Sequence, residues 1–168
     1  MTISNTEFIQ ILEKHKAIIY KITRSYSYEV DERKDLEQEI IIQIWRSLRN
    51  YKSDSKLSTW IYRVALNVAI SHLRKDDTRK KNIAPMSESI LDLATDTKEE
   101  DRSSERTEVL YQVINQLEPL NRALILLFLD GKSYSEIAQI MGISESNVGT
   151  KLNRIKTKLK ENKQLKTA

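Results

Sequence analysis

The sequence predicts an all-α protein made of two small helical domains joined by a flexible linker. Apolar residues recur along most of the chain at the three- and four-residue spacing of amphipathic helices. No glycine precedes Gly131 and the chain has only 2 prolines, so strands joined by tight hairpins are not expected. The charge also varies along the chain, because residues 81–105 hold 3 basic and 7 acidic residues whereas residues 1–80 hold 15 basic and 11 acidic ones. This acidic segment contains Pro85 and several Ser and Thr, and it is the predicted linker.

We therefore predict a first domain over residues 5–80, a linker over 81–105, a second domain over 106–163 and a tail over 164–168. The absence of cysteine excludes disulfides and thiolate metal sites, and it suits a reducing compartment. No apolar stretch approaches the ~20 residues that span a membrane, so a cytoplasmic protein is expected. The net charge of +4 and the pI near 9.2 favour a polyanionic partner.

The first predicted helix carries a single apolar stripe, which indicates one buried face. Its members are Phe8, Leu12, His15, Ile19, Ile22 and Tyr26. Since His15 lies on this stripe, we expect it to be a structural residue and not a ligand.

The second predicted helix, from about residue 31 to residue 50, has two unlike faces. Its core face comprises Leu36, Ile40, Ile44 and Leu48, followed by Tyr51. The opposite face places Ile42 and Trp45 among charged residues, which suggests a surface for another protein. For Trp45 the alternative is packing under a neighbouring helix.

The third predicted helix has an inner stripe and an outward face of a different kind. Ile61, Val64, Ala65 and Val68 form the stripe, with His72 near its centre and therefore expected to be structural. On the other side, Arg63, Asn67 and Arg74 project within about 40° of one another, and Trp60 lies beside them. Arginine side chains hold phosphates, and bases stack on aromatic rings. Such residues after a loop flanked by lysines are typical of a surface that binds opened or single-stranded DNA. The alternative is a solvated face with a half-buried tryptophan.

The last fifth of the chain predicts a helix-turn-helix. Gly131 ends a helix, since glycine accepts the left-handed conformation that a helix C-terminus favours. Ser133 and Glu136 have the spacing of a reciprocal capping box at the start of the next helix. Gly142 makes the turn, and Ser144 caps the second helix of the motif. Such a second helix enters the major groove of DNA in proteins with this motif.

The second helix of the motif separates apolar from hydrogen-bonding residues. Val148, Leu152, Ile155 and Leu159 form its apolar stripe. The other side carries side chains of the kinds that contact base edges or phosphates, namely Ser146, Thr150, Asn153, Arg154 and Thr157, with Asn147 and Lys151 at the edge. The alternative is a solvated basic helix on a small bundle. Gly149 costs this helix about 1 kcal/mol relative to alanine, and one hypothesis is that it permits close approach to DNA.

The sequence does not favour an enzyme. It has no glycine-rich phosphate loop and no cysteine, and its 2 histidines both map to predicted buried stripes. We therefore expect no catalytic residues, no metal, no cofactor and no small-molecule substrate.

Two sets of residues resemble conserved regions of bacterial sigma factors. Region two is matched by Asp35-Leu36-x-Gln38-Glu39, Tyr51, Ser58-Thr59-Trp60-Ile61-Tyr62-Arg63-Val64-Ala65-x-Asn67 and Leu73-Arg74. Region four is matched by Leu117-x-Pro119, Gly131-x-Ser133-Tyr134-x-Glu136-Ile137-Ala138, Gly142-Ile143-Ser144 and Val148. The order of the regions, the linker and the lack of a third domain between them are similar to the extracytoplasmic-function group. Leu57 departs from this pattern, since many members have Phe there.

The resemblance implies that the chain directs core RNA polymerase to specific promoters and initiates transcription. It implies that a surface on the second helix binds the clamp of the largest polymerase subunit, through Asp35, Gln38, Glu39, Ile42, Trp45 and Arg46. It implies that the following loop and helix recognise and melt the minus-ten element, through Tyr51, Lys52, Ser53, Lys56, Trp60, Arg63, Asn67 and Arg74. It implies that the last helix binds the minus-thirty-five element, through Ser144, Ser146, Asn147, Thr150, Lys151, Asn153 and Arg154.

Further partners follow from the same resemblance. The family implies a contact with the polymerase flap, an anti-sigma factor, and a monomer outside these complexes. The alternative is a stand-alone helix-turn-helix regulator that uses its N-terminal helices to dimerise. That regulator would bind a palindromic operator as a dimer, whereas a sigma factor recognises two unlike elements separated by a fixed spacer.

Overall fold

The computed structural model describes residues 2–80 and 102–167, with side chains described for residues 2–75 and 105–161. Within these ranges the regular elements are helical, as predicted. They are α1 (Asn5–Tyr26), α2 (Val30–Ser47), a 3-10 turn (Leu48–Asn50), α3 (Leu57–Lys80), α4 (Arg102–Asn115), α5 (Pro119–Leu129), α6 (Tyr134–Met141) and α7 (Glu145–Thr167). Most of the predicted linker lies outside the described residues, but its last four residues, 102–105, belong to α4.

The first domain is a bundle of α1, α2 and α3. The predicted core face of α2 is confirmed, since Leu36, Ile40 and Ile44 have no exposed surface. The predicted stripe of α3 is only partly correct. Ile61 and Ala65 are buried, but Val64 and Val68 are only partly buried. The buried apolar residues among the described side chains of α3 are Ile61, Tyr62, Ala65, Leu66, Ala69 and Ile70. This face is wider because α3 packs on α1 and α2 and also on α5 and α6 of the second domain.

The second domain is built around α5, whose residues 123–127 are all buried. A helix that is apolar on all sides is typical of the centre of a bundle, and α5 contacts α4, α6 and α7 as well as the first domain. The predicted stripe of α7 is confirmed at Val148, Leu152 and Ile155, which are buried against this core, while its last member, Leu159, is partly buried.

The caps and turns of the helix-turn-helix are those that the sequence predicts. Ser133 Oγ accepts a hydrogen bond from the backbone N–H of Glu136 at 3.1 Å, and the Glu136 carboxylate accepts one from Ser133 N–H at 2.8 Å. Gly131 and Gly142 adopt φ values of 78° and 69°, in the left-handed region that disfavours a side chain. Ser144 Oγ accepts from Asn147 N–H at 3.2 Å at the start of α7.

Membrane spans and metal clusters are both absent from the described residues. No helix in that part of the chain is both long and apolar enough to cross a bilayer. The same residues contain no group of three or more His, Asp or Glu side chains placed to hold a metal ion.

Candidate protein and nucleic-acid interfaces

An open groove of about 760 Å³ runs between α2 and α3. It brings together two sets of residues that the sequence analysis treated separately. Glu39, Ile42 and Arg46, assigned to polymerase, lie on the α2 side, while Trp60 and Asn67, assigned to the minus-ten element, lie on the α3 side. The remaining lining residues are Gln43, Ser47, Asn50, Val64, Val68, Ser71, His72 and Lys75. Parts of the two predicted interfaces therefore meet in this groove.

The outward face of α2 presents an apolar residue within a polar surround. Ile42 is 48% exposed, as are several other large apolar side chains of the described residues, among them Ile9 and Val30 at 58%. Asp35 and Gln38 are exposed on the same helix, about one turn or more towards its N-terminus. An exposed apolar centre with a polar rim is the usual composition of a protein–protein interface.

Trp45 has a different environment from the rest of its predicted set. Its ring packs edge-on against Phe8 of α1, with 4.7 Å between the ring centroids. It borders a small cavity with the N-terminal residues 2–5, away from the α2–α3 groove. Packing under a neighbouring helix, the alternative that the sequence left open, is thus what Trp45 does. A polymerase contact through its exposed edge stays a prediction.

The loop before α3 is held in place by an aromatic pair. The rings of Tyr51 and Trp60 are tilted against each other with centroids 5.4 Å apart, and the Tyr51 hydroxyl donates to the carbonyl of Ser55 at 2.5 Å. Ser53 has a φ of 48°, which is uncommon for a residue other than glycine and is found disproportionately at functional sites. Lys52 and Lys56 are exposed on this loop. The loop therefore presents two cations beside an aromatic platform.

The predicted stripe along α3 is present on the folded helix. Arg63, Asn67 and Arg74 are all exposed. Of these, Asn67 lines the groove, whereas Arg63 and Arg74 lie outside its walls. The stripe thus extends the groove surface along α3 and adds positive charge beyond it.

The predicted DNA-binding residues of α7 form one accessible surface at its N-terminal half. All seven, Ser144, Ser146, Asn147, Thr150, Lys151, Asn153 and Arg154, are exposed. The Thr150 hydroxyl donates to the carbonyl of Ser146 at 3.0 Å, so its oxygen keeps acceptor capacity. Lys151, Asn153 and Arg154 also line a second groove, of about 550 Å³, that Glu118 and Asn121 of the second domain border on the other side.

Gly149 faces α6 and does not face the exposed surface of α7. A Cβ at this position would lie 3.4 Å from Cε2 of Tyr134, an ordinary van der Waals distance. The hypothesis that Gly149 permits close approach to DNA therefore has no support in this geometry.

Gly149→Ala is expected to raise the free energy of unfolding by about 0.5–1 kcal/mol, because it removes the entropic cost of a helical glycine. Since the added methyl group points at Tyr134, promoter affinity should not change. Urea unfolding measures the first effect and DNA titration the second. Gly142→Ala is the matched control, and it should destabilise the domain because residue 142 needs a positive φ. Destabilisation by Gly149→Ala would show that the Tyr134 contact is tighter than it appears.

The two histidines differ in their surroundings. His15 is partly buried, and burial together with the charge of Lys14 lowers the pKa of its imidazole. His72 was predicted to lie at the centre of the inner stripe, but it lines the α2–α3 groove with its Nδ1 3.3 Å from a carboxylate oxygen of Glu39. This contact was missed because it depends on the register between α2 and α3, which neither helical pattern contains.

Two family models match the parts of the chain that carry these surfaces. The model for Sigma-70 region 2 matches residues 11–79, which include the α2–α3 groove. The model for Sigma-70, region 4 matches residues 107–159, which include the exposed face of α7.

Several known proteins are similar to this chain over most of its length. The RNA polymerase sigma-H factor of Pseudomonas aeruginosa is 32% identical over 154 residues, which cover 86% of this chain and 78% of that protein. The ECF RNA polymerase sigma-E factor of Haemophilus influenzae is 35% identical over 130 residues, covering 72% and 67%. This chain is an extracytoplasmic-function sigma factor of the sigma-70 family. The sigma factor YlaC of Bacillus subtilis is 28% identical to it over 162 residues, covering 89% and 94%.

Two solved structures share the fold of this sigma factor. CnrH in complex with the cytosolic domain of CnrY matches with a TM-score of 0.68 at 20% identity, over 96% of this chain and 90% of that one. The sigma factor RpoE of Bartonella quintana, in complex with the anti-sigma factor NepR, matches with a TM-score of 0.67 at 20% identity, over 92% and 95%. The sigma factor acts with RNA polymerase in promoter-specific transcription initiation, and the stand-alone dimeric regulator is not favoured.

Proposed function

We propose that this sigma factor uses three of its surfaces in promoter recognition: the outward face of α2 for polymerase, the α2–α3 groove with its loop for the minus-ten element, and α7 for the minus-thirty-five element. The observation that supports this assignment best is the continuity of the α2–α3 groove. Its α2 wall holds three of the residues that the resemblance assigns to polymerase, and its α3 wall holds two of those that it assigns to opened DNA.

Polymerase binding is assigned to Asp35, Gln38, Glu39, Ile42 and Arg46. Ile42 supplies apolar area that becomes buried on docking, and the surrounding charges set the orientation of the partner. We assign Trp45 mainly to the support of this helix through its contact with Phe8.

Minus-ten recognition is assigned to the loop and to the face of α3. Unpaired bases stack on aromatic rings irrespective of sequence, and the paired rings of Tyr51 and Trp60 offer such a surface. Lys52 and Lys56 hold the phosphates of the strand, and Asn67 can pair with a base edge inside the groove. The proposed contact with the minus-ten element also includes Ser53, Arg63 and Arg74.

Minus-thirty-five recognition is assigned to the N-terminal half of α7. The first turn of a helix attracts phosphate, which places Ser144, Ser146 and Asn147 against the DNA backbone. Asn153 and Arg154 are the residues best suited to base edges, because their side chains can form paired hydrogen bonds with adenine and guanine respectively. Thr150 and Lys151 lie between these groups.

Neither domain is expected to bind DNA tightly on its own. Each buries a modest core, and contacts that consist largely of lysine and arginine with phosphate weaken steeply with salt. When polymerase holds both domains, their DNA contacts become intramolecular and their affinities combine. The free chain should therefore have little promoter affinity.

An anti-sigma factor is the second protein partner that we propose. The sigma factor RpoE of Bartonella quintana, whose fold matches over 92% of this chain, forms a complex with an anti-sigma factor. The exposed apolar centre at Ile42 gives such a partner a surface to cover.

The proposed function is tested by adding the purified chain to core RNA polymerase. We expect it to be retained by immobilised core enzyme and to yield discrete run-off transcripts from a library of chromosomal fragments, which core enzyme alone does not give. A folded chain that core enzyme does not retain, or that binds a palindromic site as a dimer without polymerase, would contradict the proposal.

A further inference from the structure

A histidine on one wall of the α2–α3 groove contacts a carboxylate on the other wall. Nδ1 of His72, on α3, lies 3.3 Å from a carboxylate oxygen of Glu39, on α2. A carboxylate only accepts hydrogen bonds, so the imidazole nitrogen that faces it is the donor. The contact therefore joins a residue of the proposed polymerase surface to a residue that has no part in the proposed function.

The two side chains of this pair differ in their freedom to move. The side chain of His72 is 17% exposed, whereas that of Glu39 is 56% exposed. An imidazole that lies mostly within the wall of the groove has few orientations open to it, while a surface glutamate has much rotamer freedom to lose when it is ordered. Within the described part of the chain, His72 is the one polar partner of Glu39. His72 therefore restrains Glu39, and not the reverse.

The restrained carboxylate lies beside the apolar centre of the proposed polymerase surface. Glu39 comes three positions before Ile42 on α2, and residues three apart are neighbours on the surface of a helix. A carboxylate has about four acceptor positions on its two oxygens, and one oxygen contacts His72. The hydrogen bond thus limits the directions in which Glu39 points but leaves its other oxygen to accept from a partner protein.

Two cations that line the same groove make this restraint consequential. Arg46 of α2 and Lys75 of α3 are both exposed lining residues. An exposed glutamate without a fixed partner samples several rotamers, and cations near it attract its carboxylate. Rotamers that turn Glu39 towards either cation draw the carboxylate away from an incoming protein. Because His72 favours one orientation, less ordering of this side chain is required when polymerase binds.

We infer that His72 is a positioning residue for polymerase binding, whose Nδ1–H holds the Glu39 carboxylate in the orientation that polymerase contacts. The inference rests on the proposed function, since it gives His72 a role only if Glu39 lies in the polymerase interface. Ordering a flexible side chain before association removes part of the entropic cost of binding. Loss of this hydrogen bond should therefore weaken polymerase binding and leave the DNA-binding wall of the groove intact.

The test compares three substitutions of His72 in the full chain. Asparagine and leucine have nearly the same shape, but only the asparagine amide keeps an N–H donor near the position of Nδ1. We expect His72→Leu to lower the affinity for immobilised core polymerase about 3- to 10-fold, and His72→Asn to stay within about twofold of the wild type. His72→Ala is a second variant without a donor, and its loss should match that of His72→Leu. Thermal unfolding checks that each variant is folded.

Two further measurements separate positioning from a direct contact and from a general disturbance of the groove. On a Glu39→Ala background, His72→Leu should have no additional effect on polymerase affinity, because the group that it positions is gone. With core polymerase in saturating excess, the His72→Leu holoenzyme should bind promoter DNA as the wild-type holoenzyme does. His15→Leu is the matched control, since His15 is also partly buried but lies on α1, outside the lining of the groove. It should alter neither polymerase affinity nor promoter binding.

A folded His72→Leu variant with wild-type affinity for polymerase would overturn the inference. Equal losses for His72→Leu and His72→Asn would also overturn it, because the donor would then be irrelevant. A loss that persists on the Glu39→Ala background would mean that His72 contacts polymerase itself, and a promoter-binding defect at saturating polymerase would assign His72 to the packing of the groove. Failure of the wild type to bind core polymerase would instead overturn the proposed function.

Discussion

Asp35→Ala is expected to weaken the binding of core RNA polymerase by about 10- to 100-fold without changing the fold. Asp35 is exposed on α2 and points about 100° away from the buried Leu36 and about 140° away from the buried Ile40. Its removal costs the first domain no internal packing. If Asp35 pairs with a cation of polymerase in the proposed interface, the truncation leaves that cation unpaired, which costs about 2–5 kcal/mol when the pair is fully buried. Biolayer interferometry with immobilised core enzyme measures the loss, and thermal unfolding checks the fold.

The matched control for this prediction is Glu37→Ala. Glu37 is also an exposed carboxylate of α2, but at 100° per residue it points roughly 160° away from Asp35. Glu37→Ala should therefore leave the affinity for polymerase nearly unchanged. Equal losses for the two variants would mean that net charge, and not a surface centred on Asp35, governs the association.

Arg154→Ala is expected to lower the affinity of the holoenzyme for the minus-thirty-five element by about 1–3 kcal/mol, or 5- to 150-fold. Arg154 is exposed on the side of α7 that we propose to face DNA. If its guanidinium pairs with a guanine, the loss will be largest on the native element and small on a version substituted at that base pair. Electrophoretic mobility assays with native and substituted elements, at one fixed salt concentration, measure both losses.

Two further variants separate base contact from charge. Lys160→Ala removes one cation from the exposed surface of the same helix, six residues further on, and should cost much less. Arg154→Lys keeps the charge but cannot form the paired hydrogen bonds, so it should resemble Arg154→Ala on the native element. If Arg154→Lys binds like the wild type, Arg154 holds phosphate and does not contact a base.

The helices and the helix-turn-helix could be predicted because their signals are local. The caps at Ser133 and Ser144 and the glycines at 131 and 142 each depend on residues within four positions. The stripe of Val148, Leu152 and Ile155 needs only a helical projection and one buried side. Such features depend on residues that are close in the sequence and not on contacts with distant parts of the molecule.

The arrangement between elements could not be predicted in the same way. Val64 was placed in the core and Tyr62 was not, because a projection allows one buried direction and α3 has neighbours on several sides. Trp45 has the outward position of an interface residue on α2, yet Phe8 of α1 covers one side of it. The contact of Lys21 with Asp130 joins residues 109 positions apart, and no local pattern carries information about such a pair.

The dependence of promoter binding on polymerase is tested most directly by one titration. A labelled promoter fragment with both elements is titrated, at physiological salt, with the free sigma factor and with the factor saturated by core enzyme. We expect the fragment to remain unbound by the free chain at concentrations at which the holoenzyme binds it fully. Tight and sequence-specific binding by the free chain, with no gain from core enzyme, would contradict the account.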